Sequence, residues 1–186
     1  MNNTLITEKE KDLLKSLKGK QFERFKCDSF IFSPMVFGIV GIYVDGQIYK
    51  ITSGLKPVTR FYADDEVACF KIEPAEDAEI VSRMENGEMI ETPIQEKIRN
   101  IVIVNDIQEL HNGHRTERFE SMVGIIFQLQ DDREVSFELG TWFSEMITVR
   151  RGYQLIDTYT PTTEFLEEWE GCGNCVPECR REIVVL

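Results

Sequence analysis

Three cysteines near the C-terminus, Cys172, Cys175 and Cys179, carry the sharpest chemical signal in this 186-residue chain. C-x2-C is the spacing by which a tight turn presents two thiolates to one tetrahedral ion, and Cys179 can return a third ligand after a short step. A fourth must come from elsewhere. His111 or His114, in the stretch HNGH, would complete a Cys3His zinc set if that stretch folds against the tail, and Cys27 or Cys69 would do so if a strand end lies close. Zinc is therefore the cofactor these residues suggest. An iron–sulfur ligand run, a Cys172–Cys175 disulfide or redox pair, and plain thiols are the competing readings.

Other catalytic chemistry is thinly represented. Both histidines lie in HNGH, where a spacing of three suits a helix better than a glycine-containing loop, so solvated loop residues are the simpler reading. No serine sits in a G-x-S-x-G elbow, and neither Gly-rich phosphate-loop pattern occurs. The pairs Asp64-Asp65 and Asp131-Asp132 could hold a divalent cation through oxygen, but each falls where a turn is expected. Phe61-Tyr62 and Trp142-Phe143 follow predicted hairpins. They serve either as core-closing plugs or as rigid anchors at a protein interface. The balance leans away from an enzyme.

Charge limits the partners. With 21 Lys and Arg against 33 Asp and Glu the chain stands at −12, which repels phosphate backbones and anionic lipid unless cations cluster. Residues 1–26 carry seven basic and four acidic side chains, a local +3 that leaves −15 on the remainder. That basic segment reads as the solvated face of an amphipathic helix. The N-terminus lacks a basic-then-apolar signal pattern, and the longest apolar run, MVFGIVGIYV, is half the length needed to cross a bilayer. A cytoplasmic protein is expected, in whose reducing surroundings cysteines serve as thiols, ligands or redox centres more often than as structural disulfides.

The elements that must position these residues are mostly strands. Thr7 and Glu10 have capping-box spacing, Leu13, Leu14 and Leu17 mark one stripe, and Gly19 supplies a stop, so a helix is predicted at about 8–18. VFGIVGIYV, Asp45-Gly46 and QIYKIT form a hairpin signal, the turn-rich GLKP follows, and EVACFKI at 66–72 is a further strand. AEIVSRM, Asn86-Gly87 and EMIETPI read as a second hairpin with Pro93 at a sheet edge. IRNIVIVN at 98–105 is a buried strand and HNGHRTER at 111–118 a polar loop. FESMVGIIFQLQ, EVSFELG and MITVRR continue the β pattern. A last helix is predicted from Thr160 and Pro161 to Gly171, and IVVL at 183–186 is a strand able to close a sheet edge.

These signals predict an α+β protein dominated by antiparallel strands in a curved, barrel-like or sandwich sheet, with a helix near each end. One domain over 1–186 is expected, with two β-meanders, 36–73 and 122–150, that resemble an internal duplication. The expected function is non-enzymatic: an acidic protein that occupies a basic surface of a partner protein. An inhibitor of the immunity or phage anti-defence type, blocking a nucleic-acid-binding enzyme, would act so. Phe61, Tyr62, Asp64, Asp65, Asp131, Asp132, Trp142 and Phe143 are its candidate contacts. The alternative is a zinc-stabilised regulatory module or small metalloenzyme built on the C-terminal cysteines.

Overall fold

Alternating apolar residues make strands here; within the longer ones the stretch 101–108 is buried on both faces, whereas 47–60 and 175–185 cover one face and leave the other open. The computed structural model describes residues 3–29, 34–140 and 145–186. Its elements run β1 Asn3–Thr4, α1 Glu8–Leu17, β2 Gln21–Asp28, β3 Met35–Phe37, β4 Ile39–Val44, β5 Gln47–Arg60, β6 Ala63–Pro74, β7 Met89–Asn112, β8 Arg115–Leu129, β9 Glu134–Leu139, β10 Met146–Gly152, α2 Thr163–Glu168 and β11 Cys175–Val185. This is the β-rich α+β architecture that the sequence predicts, with a short helix towards each end. Among the described residues no helix is long and apolar enough to cross a membrane.

Hydrogen bonds link the strands into one sheet in the order β3-β10-β9-β8-β7-β2-β4-β5-β6. β11 lies beside β7, and β1 pairs in parallel with β8. The 24-residue β7 holds the two halves together: residues 89–97 pair with β2, and 98–112 pair with β8. Gln95 at φ +58° and the register shift after Ile98 bend the strand between these partners. The sheet thereby folds onto itself. Phe22 and Phe25 of β2 meet Phe127 of β8 and Phe137 of β9 at ring separations of 5.2 and 6.0 Å, and all four are essentially fully buried. β3 adds a second link, since it leads directly into β4 but pairs with β10 across the fold.

Local chemistry explains the parts that were legible. Thr7 caps α1 by accepting from the Glu10 amide, and Glu10 answers by accepting from the Thr7 amide at 3.0 Å. The second Glu10 oxygen accepts from the Ile72 amide, which ties the helix to β6. Asp45 and Gly46, at φ +48° and +71°, make the tight β4–β5 turn.

Four expectations need correction. GLKP is not a turn: β5 runs through it, because beyond Thr52 it has only β6 as a partner and tolerates Pro57. AEIVSRM is not a strand either. Asp77 accepts from Lys26 and Tyr43, Glu79 accepts from Lys50 at 2.5 Å, and Ile80 is buried over Gly41, where a Cβ would lie 2.7 Å from the Ile80 side chain. Residues 75–88 are therefore a strap across the outer face of β2, β4 and β5. HNGHRTER is no loop, since β7 and β8 continue into it around a tight turn at Gly113-His114. The last helix starts at Thr163 with Thr162 as its cap residue, later than Thr160 and Pro161 suggest.

Candidate partner-binding surface

At one end of the molecule the β5–β6 hairpin tip leans on α2. Its turn consists of Phe61 and Tyr62, both in the left-handed region at φ +48° and +69°. Bulky residues seldom adopt this conformation, which costs on the order of 1 kcal/mol or more per residue unless the surroundings enforce it. Here they do. The Phe61 ring packs 5.3 Å from Phe165 and 5.8 Å from Trp169, and the Arg60 guanidinium lies over the Phe61 ring. Val58, Val67, Leu110 and Phe119 complete a small apolar cluster beneath. Burying Phe61 leaves Tyr62 turned outward at 44% exposure, its amide donating to Glu117 Oε2 at 3.0 Å.

α2 is placed from behind by a buried ionic network. Arg181 of β11 donates to both oxygens of Asp106 at 2.7 and 2.8 Å and to the Thr160 carbonyl at 2.9 Å. Glu138 of β9, 3% exposed, accepts from the Thr160 amide and from Arg150. Tyr159, held between Ser136 and the Arg181 guanidinium, fixes the preceding residue; burial raises its hydroxyl pKa well above the ordinary value. The chain therefore enters α2 from a clamped point, and the six-residue helix needs only Phe165 to seat it.

Around this aromatic ledge the carboxylates concentrate. Residues 60–66 and 161–171 carry Asp64, Asp65, Glu66, Glu164, Glu167, Glu168 and Glu170 against Arg60 alone, which is −6, half the net charge of the chain. Asp65 pairs with Arg60 at 2.9 Å and Asp64 accepts from Thr59 at 2.9 Å. Partial burial raises the Glu168 pKa, with Arg60 opposing and Glu164 and Asp65 reinforcing the shift. The remaining acids of α2 face solvent beside exposed Leu166. Chemically this is a surface that offers a phenol, an aliphatic edge and closely spaced anions to something cationic.

The other candidate contacts lie elsewhere. Asp131 and Asp132 occupy the β8–β9 turn, and the ten residue steps from Phe119 to Leu129 span about 33 Å of strand. There Asp131 pairs with Arg133 and Asp132 with Arg99. Trp142 and Phe143 lie outside the described residues. The α2 acids and Glu117 were missed as a group, although the density of glutamate in PTTEFLEEWEG was visible in the sequence.

The cysteines are not gathered into one ligand set. Cys172 and Cys175 are joined by a disulfide. The tail does fold against HNGH, with Cys175 opposite Asn112 and Val176 opposite His111. Strand periodicity nevertheless separates the groups: Cys175 and Cys179 point into the apolar cluster under α2, while His111 shares the opposite face with Val176 and Glu178. Burial pushes the Cys179 thiol up to about 12 and does the same to Cys27 in the main core. Cys69 is half-buried and donates to the Gly54 carbonyl at 3.4 Å, and His114 is exposed at the β7–β8 turn.

These features define an acidic, β-rich α+β protein in which carboxylates ring an aromatic hairpin tip. Comparison with protein families, with curated proteins and with solved structures finds no match for this chain.

Proposed function

We propose that this protein works without catalysis, by laying the surface formed by the β5–β6 tip and α2 on a basic region of a partner protein. The observation that carries this reading is the placement of half the net charge around Tyr62, Leu166 and the Phe61 ledge. Opposite charges accelerate encounter and fix orientation, while the exposed ring and aliphatic side chain supply area that can be desolvated. A nucleic-acid-binding enzyme offers a basic groove of the right sign, so an inhibitor of the immunity or anti-defence type is the specific form proposed.

The test compares capture from the source cell at low and high salt by three tagged proteins. These are the wild type, a double variant Glu164→Lys/Glu167→Lys, and the control Glu85→Lys on the distant strap. A basic partner retained by wild type and control, released by salt and lost by the double variant supports the reading. Indistinguishable capture by all three overturns it.

A further inference from the structure

On the face of β7 and β11 that points away from α2, Glu109 stands directly opposite Glu178, and His111 lies two residues along the same face. Like charges placed opposite one another across an antiparallel pair destabilise it, and Arg118, 3.2 Å from Glu109 Oε1, neutralises only one of the two. The other Glu109 oxygen and Glu178 Oε1 each lie 3.9 Å from His111 Nε2. One donor atom from each of the three residues fits within a 4.8 Å span. The far side of the imidazole is fixed from outside the group, with Nδ1 2.8 Å from Thr116 Oγ1 on β8.

We propose that Glu109, His111 and Glu178 form a binding site for a divalent transition-metal ion of the zinc type. In the tautomer that donates its Nδ1 proton to Thr116, the Nε2 lone pair faces both carboxylates. An outer partner commonly orients a ligating histidine in this way. Zinc bonds of about 2.0–2.2 Å place tetrahedral ligand atoms roughly 3.3–3.6 Å apart. The two 3.9 Å separations from His111 therefore close by about 0.3–0.6 Å, and the two carboxylates, within 4.8 Å of each other, draw together through their glutamate rotamers. A nitrogen donor selects zinc-like ions over calcium or magnesium, which prefer all-oxygen sites. Three protein ligands leave at least one coordination position open to water or an incoming group. The ion also resolves the facing carboxylates, a role that Arg118 fills on one side only. This site is independent of the cysteine tail, and it neither requires nor excludes the proposed partner surface.

The experiment is a calorimetric titration of untagged full-length protein with zinc alone, in a non-chelating buffer, on wild type and four single variants. Wild type should bind one equivalent. His111→Ala and Glu178→Gln should each weaken binding by at least about tenfold, because loss of even an outer partner costs a metal site 10–100-fold. Cys179→Ser and His114→Ala should bind as wild type does. Circular dichroism establishes that the exposed-site variants remain folded. Absence of stoichiometric zinc in wild type, undiminished affinity in His111→Ala, or loss of binding in Cys179→Ser would each overturn the assignment. With cobalt substituted for zinc, a thiolate charge-transfer band would likewise assign the ion to the cysteines and overturn it.

Discussion

Among the described residues two aromatic clusters stand in surroundings that could hardly differ more. In the main core, Phe22, Phe25, Phe127 and Phe137 are fully enclosed between the two halves of the folded sheet. In the smaller cluster Phe61, Phe165 and Trp169 pack with similar ring separations. There, however, the rim is Tyr62, Leu166 and a crowd of carboxylates, and the hairpin tip holds two bulky residues at positive φ. The first arrangement maximises burial. The second accepts backbone strain and repulsion between like charges, which a region selected for stability alone has no reason to keep. Strain and charge at the rim are thus the physical grounds for reading that end as the working surface.

The largest effect is expected at the core. Phe127→Ala should lower stability by about 3–5 kcal/mol in urea unfolding, the cost expected for deleting a fully buried ring. A loss below about 1 kcal/mol would mean that the halves are not packed as described. Next is the clamp behind α2: Arg181→Met leaves the buried Asp106 carboxylate without its partner, which should cost about 3 kcal/mol. The paired change Asp106→Leu/Arg181→Met should recover most of that loss. Hydrogen exchange of the α2 amides should rise in the single variant before the core amides respond.

The hairpin tip should behave in the opposite sense. Tyr62→Gly relieves a left-handed tyrosine, so stability should hold or rise by up to about 1 kcal/mol, while capture of the basic partner falls. A stability loss of the size seen at the core would instead make Tyr62 a packing residue.

The smallest effect concerns the strap. A hydrogen bond from Tyr43, and then Lys26, hold Asp77 below the usual carboxylate range; Lys50 does the same for Glu79. Because these folded-state values are depressed, the stabilisation is complete above the ordinary carboxylate value near 4 and is lost as pH falls through the lower folded value. Protection factors at residues 77–81, which remove the intrinsic pH dependence of exchange, should therefore fall on acidification below about pH 4 before those of the core do. Exchange independent of pH-linked opening would remove these pairs as the fastening.

What could be read in the sequence follows the range of the forces involved. The α1 capping box and the Asp45-Gly46 turn are local, so they were visible without any fold. The strap was not. Ile80 and Val81 have the apolar character of a strand, and only residues of β2, β4 and β5, some thirty to fifty positions away, turn the segment into a strap: Lys26, Tyr43 and Lys50 hold its acids, and Gly41 leaves room for Ile80. Of the acidic surface the sequence offers the half from Phe61 to Asp65, while the α2 half, a hundred residues further on, joins it only through the packing of Phe61 on Phe165 and Trp169. The cysteine tail illustrates register. Its spacing was plain, but once Cys175 and Cys179 belong to a strand, which histidine face they share depends on a pairing with β7 that no local pattern encodes.

The course of β7 has a kinetic consequence. Its partners begin at Gln21 and end at Val185, so this one strand cannot be completed until the beginning and end of the described chain have both arrived. Topologies dominated by such distant pairings assemble on the slow, millisecond-to-second side of the two-state range. Neither half-sheet owns all of β7, so neither should be an autonomous folding unit. Refolding should appear as one late, concerted step in which the ends of the chain close around a strand already waiting between them.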